Sequence, residues 1–441
     1  MNAINDSFLG DIDNGVLRLM TAGSVDDGKS TLIGRLLHDS KGIFADQLHA
    51  ISRAGRQRAS GGGIDFSLLT DGLEAEREQG ITIDVAYRYF STPRRKFIVA
   101  DAPGHEQYTR NMVTGASTAD AAIILIDATR AASGALLPQT KRHSAIVRLL
   151  GLRHVIVAVN KMDLVDWDEA VFHRISAAYA DLAARLGIAH FHCLPLSALG
   201  GDNVVNPSAH TPWHSGPPLL SLLEELPVES DARALPLRLP VQWVLRHGGH
   251  QADDFRGYAG RLASGALRVG DAVSIQPAGT QAVVTTLAVR GHAAQEAVAG
   301  DSVTVTLDRD VDLSRGDLLA HPQAPAPVAR EFEAELCWLD AQPLHPARRY
   351  LLKQGARLTT AKIRAIHSRR DIHELREIPH DDTPLTMNDM ARVTLATRDP
   401  LAADPYDKLP ATGAFILIDE ATHQTAAAGM LRQAGALKNG D

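Results

Sequence analysis

The segment GSVDDGKS, Gly23 to Ser30, has the G-x-x-x-x-G-K-[ST] spacing of a loop that surrounds phosphate oxygens with backbone N–H groups. Gly23 and Gly28 free the backbone for close approach, and Ser24, Val25, Asp26, Asp27 and Thr31 complete a cradle at a helix N-terminus. Lys29 supplies a point charge to the β and γ phosphates, and the Ser30 hydroxyl is placed to ligate Mg2+. Four further motifs follow in order. Thr82, in EQGITID, is the candidate second hydroxyl ligand of that magnesium and the sensor of the γ phosphate. Asp101, ending KFIVAD, is expected to reach the magnesium through water, and the Gly104 N–H in DAPG to sense the γ phosphate. His105 comes next, at the position where a Gln commonly orients the attacking water in small GTPases; an imidazole can do the same by hydrogen bonding, which makes His105 the candidate catalytic residue. Asn160-Lys161-Met162-Asp163 then reads the base. The Asp163 carboxylate can accept from the ring imino and exocyclic amino hydrogens of guanine together, whereas adenine offers no matching donor pair on that edge. Asn160 is expected to brace base and loop, and Lys161 to lay its stem along the base face. Ser197 and Ala198, ending FHCLPLSA, close the site with the Ala198 N–H on the guanine carbonyl. Together these residues imply GTP binding and hydrolysis with Mg2+.

The elements that must hold them are legible as apolar runs. VLRLMTA, KFIVADAP, AAIILIDA, HVIVAVNK and FHCLPLSA, between about residues 16 and 215, alternate with helical or polar sequence, the layout of a doubly wound α/β domain with a mostly parallel sheet. Every motif falls at the C-terminal end of one of these runs, where open parallel sheets bind ligands. The expected P-loop domain therefore spans 1–215. HTPWHSGPP and ELPVESDARALPLRLP mark a connection containing one short helix, LLSLLEEL. Brief β-like segments with turn signals (LPVQWVLR, RGYAGRLASG, DAVSIQPAG, AVVTTLAVRG, DSVTVTLDRD) predict a small antiparallel β-barrel over 236–325. After HPQAPAPVAR, the strands FEAELCWL, ARVTLAT and GAFILIDE predict a second over 327–435.

Composition narrows the setting. At 441 residues the chain has room for a nucleotide domain and two smaller ones. Its net charge is −7, and Arg is interleaved with acids, as in RAIHSRRDIHELRE from Arg364 to Glu377, which reads as solvated surface and not as a nucleic-acid stripe. The only cysteines, Cys193 and Cys337, lie in apolar settings and read as buried reduced thiols. The polar N-terminus lacks a signal core, and no apolar run approaches the roughly 20 residues that span a bilayer, so a cytoplasmic protein without membrane contact is expected. RAGRQRASGGG reads as a flexible loop. The adjoining ASGGGIDFS is superficially similar to the Ser-Gly-Gly-x-Asp-Ser loop of ATP-adenylylating enzymes, but it lacks the buried strand that should precede such a loop. No second Walker-type loop follows residue 215, which implies a single nucleotide site.

The domain order, with VDDGKS and DAPGHEQY, resembles the translational GTPases typified by elongation factor Tu. DGLEAEREQGITIDVAYRYFSTPRRKFIVADAPGHEQYTRNMVTGASTADAAIILIDA, with HVIVAVNKMDLVD, PLSALGGDNVV and DFRGYAGRLASGALRVGD, is more closely similar to the large GTPase subunit of bacterial heterodimeric sulfate adenylyltransferase. That resemblance covers nearly the whole chain. It implies a subunit that binds and hydrolyses GTP and partners a separate small subunit, which holds ATP and sulfate and forms adenylyl sulfate plus pyrophosphate. A fused adenylylsulfate kinase, present in some members, is not expected. Two stretches depart from the family pattern: ATRAASGALLPQTKRHS, after Asp127, looks longer than usual, and VLRHGGHQADDFRGY looks extended. Both are expected to be surface loops that leave the GTP site intact. The alternative is a translation-type GTPase delivering a charged RNA to the ribosome, for which the barrels would need a basic face. A nonhydrolysing GTP-binding scaffold would require His105 to be idle.

Overall fold

The structure is a computed structural model that describes residues 15–40, 85–103, 109–227, 231–247, 255–345, 347–371 and 376–434. These fall into two compact units divided at residues 228 and 229. Thr82, Gly104 and His105, the loop RAGRQRASGGG and the ASGGGIDFS segment lie outside the described residues.

The first unit is organised by a six-stranded sheet in the order β2-β3-β1-β4-β5-β6, with β1 at Val16–Ala22, β2 at Ala86–Ser91, β3 at Lys96–Asp101, β4 at Ala121–Asp127, β5 at His154–Asn160 and β6 at Phe191–Pro195. All neighbours run parallel except β2, which pairs antiparallel to β3 at the edge. The central strands are continuous apolar runs because both faces are covered. Leu17, Leu19, Ile123, Leu125 and Ile156 pack with leucines of the helix Lys29–Asp39. Alternate residues such as Ile124, Ile126, Val157 and Val159 are equally buried. Register then does the positioning: Thr21 lies opposite Asp101 across β1 and β3, and Asp127 opposite Asn160 across β4 and β5, so four polar side chains end level at one edge.

The helix expected within the interdomain connection, Leu219–Glu225, instead belongs to this unit. Leu219, Leu220, Leu223 and Leu226 join the core under the sheet. Arg95, buried in the β2–β3 turn region, donates from Nη1 to the carbonyls of Leu223 (2.9 Å) and Leu226 (2.6 Å), satisfying groups a helix end leaves unpaired. The compact unit therefore runs past residue 215, to the division at 228.

The second unit carries two antiparallel assemblies. One is a sheet over Arg238–Pro240 through Leu318–Ala320, around a core of Leu239, Tyr258, Val273, Ile275, Val284 and Val305. A bridge between Arg238 and Ser264 draws its ends together. The other is a closed six-stranded barrel, shut by pairing of Tyr350–Gln354 with Arg357–Asp371, with a further strand, Arg376–Pro379, beside it. The stretch that reads as solvated surface, RAIHSRRDIHELRE, contributes to that long strand and its partner. Its described residues are half-buried or exposed, and the two-residue alternation of the buried Thr359, Ala361 and Ile363 comes just before it in the same strand. Arg238 joins the two assemblies: its guanidinium meets Asp404 in a bidentate pair, with both contacts at 2.9 Å, and Nη1 donates to the Leu237 and Ala324 carbonyls.

Candidate functional site

The phosphate loop connects β1 to the helix Lys29–Asp39, and its geometry requires glycine twice. A Cβ at Gly23 would stand 2.9 Å from the Leu125 carbonyl oxygen; at Gly28, where φ is +93°, it would collide with the Asn160 amide. Asp26, at the exposed tip, takes φ +67°, a left-handed conformation that Asp tolerates better than most residues. Ser30 and Thr31 lie in the first helical turn.

Lys29 is almost fully buried. Its ammonium donates to the carbonyls of Gly23 (3.1 Å) and Ser24 (2.7 Å), so the loop curls around its own cation. Burial pushes its pKa down, against the opposing pull of Asp101 and Asp27. Asp101 accepts from Thr21 Oγ1 at 3.1 Å and from Ser30 Oγ at 3.3 Å, which brings together two of the three expected magnesium ligands. Asp27 is buried within the loop and accepts the Ser24 N–H at 2.6 Å, so that amide is already engaged and does not face outward for a phosphate. Burial raises the Asp27 pKa, with Lys29, the Ser24 N–H and Arg130 working against it.

The base-reading loops converge on the same place. Asn160 donates from Nδ2 to the Asp27 carbonyl at 2.8 Å and accepts at Oδ1 from the Ala198 N–H at 2.9 Å. The expected brace to the phosphate loop is thus present, and the amide assigned to the guanine carbonyl is shared with Asn160. Lys161 takes φ +62° and pairs with Asp127 at 2.7 Å. Burial works to raise the Asp127 pKa, but hydrogen bonds from Lys161 and Thr129 outweigh it and hold the carboxyl below its ordinary range. Asp163 is exposed in the 3-10 turn Met162–Val165, and the exposed Leu164 and Leu199 lie beside Asp163 and Ala198 in sequence. Ser197 turns the second loop by accepting the Gly200 N–H on its hydroxyl. Trp167 stacks on His210, with ring centroids 5.5 Å apart, tying the chain after Asp163 to the chain after Ala198.

Two residues at the phosphate loop have no counterpart in the motif reading. His143, on the helix Pro138–Leu149, is buried and accepts the Gly23 N–H at Nδ1 (3.1 Å). Arg130, on the short helix Ala128–Ala131, donates to the Val25 carbonyl at 2.8 Å. Both come from ATRAASGALLPQTKRHS, expected to be a surface loop that leaves the GTP site intact; it instead supplies contacts to the phosphate loop. The proline that starts the helix Pro138–Leu149 is a local signal that part of the stretch is helical.

Residues 14–229 match the family described as Elongation factor Tu GTP binding domain, and residues 331–432 match GTP-eEF1A C-terminal domain-like. Proteins named sulfate adenylyltransferase subunit 1 are similar over nearly the whole chain. That of Aeromonas hydrophila subsp. hydrophila is 49% identical over 424 residues, covering 96% of this chain and 87% of its own. The Bacteroides thetaiotaomicron protein is 48% identical, covering 94% and 86%. The Chromobacterium violaceum protein is 50% identical, with the same coverage of 94% and 86%.

The buried imidazole has a measurable consequence. Burial, Lys29 and Arg142 lower the His143 pKa from 6.5 to about 3, so the unfolded chain binds a proton that the folded chain refuses. The stability this contributes is complete above pH 6.5 and is lost as pH falls from there toward 3. Between pH 7 and 5 the loss is about 2 kcal/mol. His143→Asn, whose Oδ1 can replace the Nδ1 acceptor without titrating, should lose correspondingly less over that range in denaturant melts. Parallel losses in the two proteins would remove His143 as the source.

Proposed function

The chain belongs to the sulfate adenylyltransferase subunit 1 family, and we propose that it is the GTP-hydrolysing, energy-coupling subunit of that enzyme. In this role it drives ATP and sulfate to adenylyl sulfate and pyrophosphate with a separate small subunit that holds both substrates. The observation that carries the reading is near-full-length identity to proteins of that name, together with a base-reading loop braced on a phosphate loop. Among the described residues no helix is long and apolar enough to cross a membrane, which fits a cytoplasmic place for the reaction.

In this mechanism the loop from Gly23 to Thr31 receives the phosphates, and Lys29 exchanges the carbonyls of Gly23 and Ser24 for β and γ phosphate oxygens. Asp163 selects guanine, Lys161 lines the base, and Ser197 and Ala198 close over its carbonyl edge. The hydroxyl of Ser30 and the carboxylate of Asp101, 3.3 Å apart, form a hard oxygen pair that suits Mg2+, with Thr82 as the third contributor. Bound there, the ion would neutralise charge on the β and γ oxygens. Thr82 and the Gly104 N–H sense the γ phosphate, and His105 holds the attacking water in line. Loss of the γ phosphate releases these contacts, and the movement is passed to the small subunit, coupling GTP hydrolysis to an otherwise uphill adenylylation.

Asp163→Asn should move preference from GTP toward xanthosine triphosphate, because an amide donates where the carboxylate accepted; GTP affinity unchanged in a competition titration would rule out base reading by Asp163. His105→Ala should slow single-turnover hydrolysis by roughly 100-fold with nucleotide affinity near normal. Equal losses in both quantities would point to a folding defect and count against the role. The decisive experiment mixes the chain with the small subunit and measures sulfate-dependent pyrophosphate release. GTP should stimulate it, and a competent pair indifferent to GTP would overturn energy coupling.

A further inference from the structure

We propose that Arg130 is a positioning residue for nucleotide binding: it fastens the tip of the phosphate loop through the Val25 carbonyl and compensates the charge of Asp27 inside that loop. This role presupposes that the loop binds GTP and adds a group that none of the GTPase motifs contains.

The problem that Arg130 addresses is electrostatic. The loop must receive a polyanion, yet Asp27 puts a carboxylate in it that is 0% exposed. Solvent cannot screen a charge buried in that way, so it opposes an incoming phosphate unless a cation answers it. One oxygen, Oδ2, accepts the Ser24 N–H at 2.6 Å and shapes the loop's turn. The other, Oδ1, is buried without a hydrogen-bond partner among the described residues, and Arg130 Nη1 stands 3.6 Å from it. Lys29, the other cation acting on Asp27, is needed by the phosphates.

Arg130 is held where it can serve both contacts. Its Nη1 donates to the Val25 carbonyl at 2.8 Å, next to Asp26, whose left-handed backbone is the loop's most constrained point outside its glycines. The helix Ala128–Ala131 that carries it is capped by Asp127, which accepts the Thr129 N–H on Oδ1 at 2.9 Å. Oδ2 of the same carboxylate pairs with Lys161 at 2.7 Å. Asp127 thereby links the base-reading loop to the helix that presents Arg130, and Arg130 links that helix to the phosphate loop. Base and phosphate recognition are joined by side chains a second time, independently of Asn160. The guanidinium is suited to the task because its planar array of donors can hold a carbonyl while facing a carboxylate, which a single ammonium does less well.

The shaping and the charge of Asp27 can be separated. Asparagine retains an oxygen for the Ser24 N–H and carries no charge, so Asp27→Asn removes only what Arg130 compensates. We would measure affinity for a fluorescent GDP analogue with the full chain as wild type, Arg130→Met, Asp27→Asn and the double variant. Arg130 is partly exposed, so its replacement should not threaten folding. Arg130→Met should weaken binding roughly tenfold in the wild-type background, for loss of one charge-assisted contact. In the Asp27→Asn background the same change should cost less than about threefold, a coupling that a purely structural role would not produce. Equal losses in both backgrounds, or no loss in the first, would overturn the proposal. A wild-type chain that binds no GDP would instead defeat the GTP reading, which keeps the two failures distinct.

Discussion

The side chain of Asn160 joins two loops that are far apart in sequence and must act as one. Its amide nitrogen holds the Asp27 carbonyl of the phosphate loop while its amide oxygen holds the Ala198 N–H of the second base-reading loop. Each such bond contributes about 1 kcal/mol net, but leaving either buried partner unmade costs about 1–3 kcal/mol, so the pair is worth more as a constraint than as a sum. That constraint reaches outward. Gly28 is obliged to be glycine because a Cβ would occupy the place of the Asn160 amide. Strand register obliges Asn160 to end beside Asp127 on β4 and brings Val159 against Pro195 on β6, two residues before Ser197. The sheet's hydrophobic core thus fixes where a polar bridge can form, and the bridge fixes the spacing of the two recognition loops.

Electrostatics within the loop is set by one buried cation. Lys29 is buried in a nest of its own loop's carbonyls, with burial depressing its pKa and the carboxylates of Asp101 and Asp27 opposing that effect. Among the described residues this ammonium is hydrogen-bonded only to those two carbonyls, weaker partners than an anionic oxygen would be. The backbone of the loop is shaped from outside and within by His143, Arg130, Asp27 and Asn160.

What could be read from the chain divides along physical lines. The central strands were legible because strands buried on both faces leave uninterrupted apolar runs, and the motifs were legible because phosphate and guanine chemistry tolerates few residue types at few spacings. The helix Leu219–Glu225 was visible as a helix but not as part of the first unit, since nothing local in LLSLLEEL records that Arg95, more than a hundred residues earlier, will donate to its C-terminal carbonyls. The long strand Arg357–Asp371 was obscured because its inward alternation is short, Thr359, Ala361 and Ile363, and its second half is rich in charge without a buried face. His143 and Arg130 were illegible for a different reason. Each makes its hydrogen bond to the loop through a backbone atom, and backbone atoms leave no mark on the sequence of the segment they belong to.

The second unit follows the same rule at a larger scale. Arg238 is nearly buried, and it meets Asp404 through both oxygens while its remaining donors reach two carbonyls. An ion pair so completely satisfied adds little net stability compared with apolar packing, because two charges must be stripped of water to form it. Its value lies in specificity: a bidentate pair tolerates one orientation, so it selects a single arrangement of the two antiparallel assemblies. Arg357 Nη1 donates to Asp317 Oδ1 at 3.0 Å, a second ion pair between the assemblies made through one contact. Two fixed points prevent rotation about either one. Within this unit, rigidity comes from directional polar contacts as much as from the volume of the core.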